Sequence, residues 1–288
     1  MSSQLSKIKS VLRKTTDTNK AKIYQRFFKT EPGQYGEGDL FLGVTVPKQR
    51  VIAKQFTDLA LSDLQQLLAS KIHEERNVSL IILVNQFGRA DQADKIKLTK
   101  FYLRNLHYVN NWDLVDGSAP KILGPYLEII RRFKSRTCEA PSRAVRNLNS
   151  IIAKKFRTGL SAKFGTTPQP QAQYDLLTKL ALSKNLWHRR AAILTTFYFI
   201  KKGRPQEILR LAKILLTDKE DLIHKAVGWM LREVGKNCGQ EILEKFLRQY
   251  KNQMPRTMLR YAIERLPAEK KKFYLSKGKV QFLNRLTD

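Results

Sequence analysis

Apolar residues in this chain recur at three- and four-residue spacing in one segment after another, and the strict alternation that builds a sheet is almost absent. That periodicity restricts the chain to an all-α fold. It predicts helices over Leu5–Lys14, Lys20–Lys29, Pro47–Phe56, Leu61–Ala69, Glu75–Phe87 and Asp94–Tyr108. In the second half it predicts Leu176–Ala181, Leu186–Phe199, Pro205–Leu216, Leu222–Val234, Ile242–Gln249 and Pro255–Leu266. Pro47, Pro205 and Pro255 fall where a helix would start, a position at which the missing N–H costs nothing. Short connections between many helices point to antiparallel pairs stacked as a solenoid, with a compact bundle as the alternative.

Charge sets the class of partner. The chain carries 54 Lys and Arg against 25 Asp and Glu, a formal net charge of +29, which is the footprint of a phosphate-backbone binder. The first residues, Met1 to Lys7, contain no apolar leader core, and no long uncharged apolar run follows, so a soluble, intracellular protein is expected rather than a membrane one. Cys138 and Cys238 lack metal-ligand spacing, and His73, His107, His188 and His224 are scattered, so neither a disulfide framework nor a metal site is expected. With 288 residues and 42% hydrophobic content, the chain can bury a core in one elongated domain or two small ones.

Three local patterns stand out against this background. In Asn110-Asn111-Trp112-Asp113-Leu114-Val115-Asp116-Gly117, a helical reading puts Trp112 and Asp116 on one face. Asp116 could equally be a turn or cap residue, and Asp113 is the better capping candidate of the two. Over Leu222–Val234 the apolar stripe runs through Ile223, Ala226, Val227, Met230 and Val234, which leaves Trp229 to the side with Lys225, Arg232 and Glu233. A tryptophan on a charged edge needs a cover, either a neighbouring helix or a ligand. Arg190 falls within the stripe of Trp187, Ile193, Leu194 and Phe197, where it needs an anion, a cleft or room to snorkel.

These patterns belong to longer strings: Gly38-Asp39-Leu40-Phe41-Leu42-Gly43-Val44-Thr45-Val46-Pro47 with Arg50, the Trp-Asp segment, Leu186 to Ala192, His224 to Glu233, and Met254 to Ala262. In this order and spacing the strings resemble the AlkD-like DNA alkylation repair family. The resemblance implies a HEAT-like α-solenoid of stacked antiparallel helix pairs, with a concave basic face on duplex DNA. It implies a glycosylase that hydrolyses the N-glycosidic bond of N3- or N7-alkylated purines without extruding the base. Motif by motif, it makes Asp116 the catalytic carboxylate, assigns Trp112 and Trp229 to the deoxyribose and backbone, and assigns Arg190 to a flanking phosphate. Lys225, Arg232 and Arg50 are further phosphate-binding candidates. The partner expected is duplex DNA bearing alkylated purines, bound by a monomer on cytoplasmic, nucleoid-associated DNA, with no cofactor and no metal. The alternative is a catalytically silent relative that binds branched or distorted DNA.

The chemistry fits a site with a single carboxylate. Alkylation at N3 or N7 makes the purine cationic, so it leaves as a neutral base and needs no acid to protonate it. A lone carboxylate then stabilises the oxocarbenium-like sugar and positions a water. The chain is expected to form a single HEAT-like domain over 1–288, interrupted by a basic insertion at 131–173. In that insertion Ala144, Val145, Leu148, Ile151, Ile152 and Phe156 form an apolar helical face among Arg143, Arg146, Lys154, Lys155 and Arg157. A tolerated insertion is expected there in preference to a DNA-binding arm, because long loops cost little. The glycine-rich stretch Glu31–Gly38 is read as a linker between helices, since it lacks the strand-to-helix setting of a nucleotide fingerprint.

Overall fold

The structure, a computed structural model, describes residues 3–136 and 176–276. The chain forms two compact units, 1–158 and 159–288. In the first are α1 (Ser3–Lys14), α2 (Thr18–Phe27), α3 (Val46–Lys54), α4 (Leu61–Leu68), α5 (His73–Arg89), α6 (Gln92–Arg104) and α7 (Trp112–Arg136), with a short 3-10 turn at Leu106–Tyr108. Every helix of this unit except α2 buries side chains against its neighbours. On α1, Leu5, Ile8 and Leu12 are fully buried, and each such side chain contributes roughly 1.5–3 kcal/mol of transfer free energy. α5 packs on α3, α4 and α7, while α6 packs on α7. Thus α3, α5 and α7 form one row, with α4 and α6 beside it.

The second unit repeats the arrangement with α8 (Leu176–Ala181), α9 (Leu186–Ile200), α10 (Gln206–Ile214), α11 (Asp221–Asn237), α12 (Gln240–Tyr250), α13 (Arg256–Ala262) and α14 (Ala268–Leu275). α9 packs on α11 and α11 on α13, while α10 and α12 lie against the same row. In this unit the principal contacts run between helices one or two places along the chain, as in a stacked solenoid. The approach of α11 to α13 depends on Gly228, whose position leaves no space for a methyl group: a Cβ there would lie 2.4 Å from the Met258 carbonyl and 2.5 Å from Tyr261 Cβ.

The fold is all-α, as the periodicity implies, and the sole extended pairing among the described residues is an isolated bridge between Leu40 and Ile72. Two helices escape the periodic reading. α7 runs through Pro120 and Pro125, which have no N–H to offer the carbonyls of Asp116 and Lys121 and read as helix breakers in isolation. The last helix, α14, is short and mostly polar on its exposed face. From residue 137 onward, the basic stretch 131–173 lies outside the described residues, as does Cys138. Among the described residues no helix is long and apolar enough to cross a membrane.

Candidate nucleic-acid interface and active site

The row α3, α5, α7 carries the first group of site residues. Trp112 opens α7, and Asp116 follows one turn later. Both line a cleft of about 490 Å³, together with Arg50 and Lys54 of α3 and Lys121 of α7. The helical spacing already pairs Trp112 with Asp116; the fold adds Arg50, from a distant segment, to the same cleft. Lys54 and Lys121 were not singled out, because an exposed lysine on a chain with 54 basic residues carries no signal of its own. Arg50 is exposed and makes no ion pair among the described residues. Behind Asp116, the Tyr102 hydroxyl lies 2.9 Å from Ser118 Oγ. Burial, with a further push from the Asp116 charge, holds that phenol protonated far above its ordinary range.

The start of α7 is held by a buried ionic cluster that the sequence did not reveal. Asp39 Oδ2 accepts from Arg76 Nη2 at 2.6 Å and from Asn111 Nδ2 at 3.2 Å. His73 joins this cluster to the helix: its Nδ1 is 3.2 Å from Asp39 Oδ2, and its Nε2 is 2.8 Å from Asp113 Oδ2. Two carboxylates facing both ring nitrogens favour the imidazolium, with the Arg76 guanidinium, 3.4 Å from Nδ1, opposing it. Burial alone would push this imidazole down, but the charge and hydrogen bond of Asp113, with the bond to Asp39, raise it to about 8. Burial likewise opposes ionisation of Asp39, yet the bonds from His73 and Arg76 hold its carboxyl below the usual range. Asp113, the capping candidate, accepts from the Leu114 N–H at 2.8 Å with its other oxygen.

The same imidazole packs against rings that fix the indole. Phe28 and Phe41 lie 4.9 Å and 4.6 Å from His73, centroid to centroid. Trp112 stacks on Phe28 at 5.2 Å and 12° between planes. His73 therefore acts on Trp112 by two routes, through the neighbouring Asp113 and through Phe28. The segment leading into this cluster is held by Glu74, whose carboxylate accepts from the N–H groups of Leu42, Gly43 and Val44 at 3.0, 2.8 and 3.2 Å. Gly43 has φ 79°, and a Cβ there would lie 2.1 Å from the Asp17 carbonyl. The stretch before it, Glu31–Gly38, is a series of turns, with the Gly33 N–H bonded to Glu37 at 2.8 Å. His-Glu-Glu-Arg looks in sequence like a solvated face, but all four side chains are buried.

In the second unit, α9 and α11 carry the remaining candidates. Ile223, Ala226, Val227, Met230 and Val234 are fully buried, and Trp229 is half-buried beside them, 6.3 Å from the Phe197 ring. Arg190 is 5% exposed and donates from Nη1 to the Leu222 carbonyl at 2.7 Å. A backbone oxygen is a partner that the helical wheel did not offer. Its neighbour Arg189 clamps Asp218 through Nε at 2.6 Å. Lys225 pairs with Asp221 at 2.8 Å, and Arg232 pairs with Glu264.

The arrangement defines a class first: a basic α-solenoid that sets an aromatic and carboxylate pair in a cationic cleft. A solved structure shares the fold, that of a "Predicted DNA alkylation repair enzyme from Enterococcus faecalis". The likeness covers 88% of this chain and 98% of that one, with a TM-score of 0.57 and 14% identity. No match was found among curated proteins. The family model for DNA alkylation repair enzymes matches residues 8–137 and 160–266. The chain belongs to that family, and its role lies in DNA alkylation repair. The match omits 138–159, which falls within the stretch read as an insertion.

Proposed function

We propose that this protein is a DNA glycosylase that removes cationic N3- or N7-alkylated purines from duplex DNA. What carries the reading is Asp116, a carboxylate set one turn from Trp112 in a cleft that also holds Arg50, Lys54 and Lys121, while the other carboxylate there, Asp113, is engaged by His73. A protein that only bound phosphates would gain nothing from a negative charge there. As the glycosidic bond stretches, positive charge grows on the sugar while the purine becomes neutral. Asp116 stabilises that sugar and orients the attacking water, Trp112 packs against the deoxyribose, and Arg50 takes a phosphate. No base need leave the stack for a lone carboxylate to reach C1′, in contrast to enzymes that extrude their target.

In the second unit the reading assigns Trp229 to the sugar-phosphate backbone, and assigns Lys225 and Arg232 to phosphates that would replace their present carboxylate partners. Arg190 meets a phosphate in this reading only if binding uncovers a side chain that is 5% exposed. The test is incubation of the protein with methylated duplex DNA and measurement of free purines. Release of 3-methyladenine or 7-methylguanine above the spontaneous rate is expected. Tight binding with release at the spontaneous rate would instead favour a silent DNA-binding relative.

A further inference from the structure

One face of α2 is unaccounted for by the site described so far. None of its described residues is buried, and Ile23 and Phe27, one turn apart, are 53% and 60% exposed. Large apolar side chains gathered on one exposed face mark a contact surface more often than chance scatter does. The surroundings indicate what it contacts. α2 contains no carboxylate, and Lys22, Arg26 and the adjoining Lys29 are exposed and make no ion pair among the described residues. The Phe27 ring stands edge-on to Trp112, at 5.9 Å and 75°. Both rings border an aromatic cavity of about 300 Å³, which shares Trp112 and Asp113 with the Asp116 cleft. Rings interleaved with uncompensated cations, continuous with a cationic cleft, suit a nucleic acid strand.

We propose that Ile23 and Phe27 form a second DNA-contacting surface of the first unit. Phe27 packs against an unstacked nucleotide beside the one at Asp116, and Lys22, Arg26 and Lys29 meet its phosphates. An intact duplex hides its base faces within the stack. Phe27 gains a partner only where a step has opened, so the surface favours distorted over intact DNA. The inference rests on the reading above only in taking DNA as the partner.

The test uses the full chain, Phe27→Ala and Phe27→Tyr, with duplexes carrying 2-aminopurine beside a tetrahydrofuran abasic analogue and with matched intact duplexes. Phe27→Ala should bind the abasic-analogue duplex ~10-fold more weakly, the scale of one base-to-ring stack, and lose less on the intact duplex. The rise in 2-aminopurine fluorescence that accompanies unstacking should shrink with it, and Phe27→Tyr should restore the binding. Equal affinities for Phe27→Ala and wild type, equal losses on the two duplexes, or failure of Phe27→Tyr to restore binding would each overturn the proposal. Release of 7-methylguanine by the wild type, measured alongside, reports separately on the glycosylase reading. Absence of release would sink that reading and leave a Phe27-dependent preference for open DNA standing.

Discussion

Stability should fall as pH rises through the range in which His73 loses its proton. His73 ordinarily titrates near 6.5 and is raised to about 8 in the fold. Below about 6.5 the imidazole is protonated in both folded and unfolded chains, so its contribution to stability is fully present. Between 6.5 and 8 the unfolded chain releases the proton while the folded one keeps it, and the contribution declines steadily. Above 8 it is gone. The elevation corresponds to about 2 kcal/mol, a sizeable share of the ~5–15 kcal/mol by which domains are stable. Urea unfolding at pH 6 and at pH 8.5 measures it, with His73→Gln as the control. Wild type should lose about 2 kcal/mol more than His73→Gln between the two pH values. Parallel losses in the two proteins would refute the claim that the bridge from Asp39 to Asp113 depends on an imidazolium.

Gly228→Ala should destabilise by about 1–3 kcal/mol in thermal or urea unfolding, because its methyl would meet the Met258 backbone. Gly88→Ala, on α5 with nothing within 4 Å of its Cβ, should instead gain about 0.5 kcal/mol from better helix propensity. Arg50→Gln should weaken DNA binding uniformly across sequences and lower the slope of log K against log salt by about one; an unchanged slope would remove Arg50 from the interface.

Much of this architecture was legible in the sequence because helical burial writes a 3.6-residue period into it. The stripe of α11 shows this: its five apolar positions are all fully buried, and Trp229 stands at their margin. α7 was harder to read, since Pro120 and Pro125 interrupt the local signal and tertiary packing carries the helix through them. The candidate cleft was legible only in part. Trp112 and Asp116 are four residues apart, so helical geometry alone pairs them. His73 and Asp39 come from distant segments, and nothing in a charge run shows that it will be buried beneath another helix. Arg190 marks the limit of the wheel: it established that a buried guanidinium needs a partner, but the Leu222 carbonyl comes from another helix.

The central claim is that Asp116 performs the chemistry, and single-turnover release of 7-methylguanine from a defined duplex by wild type and Asp116→Asn tests it directly. Loss of one preorganised charge that acts on the transition state costs ~10²–10³ in rate. The account predicts a fall of that size with DNA affinity unchanged or slightly tighter, because a negative charge facing phosphates has been removed. An Asp116→Asn protein that releases base at the wild-type rate would contradict it.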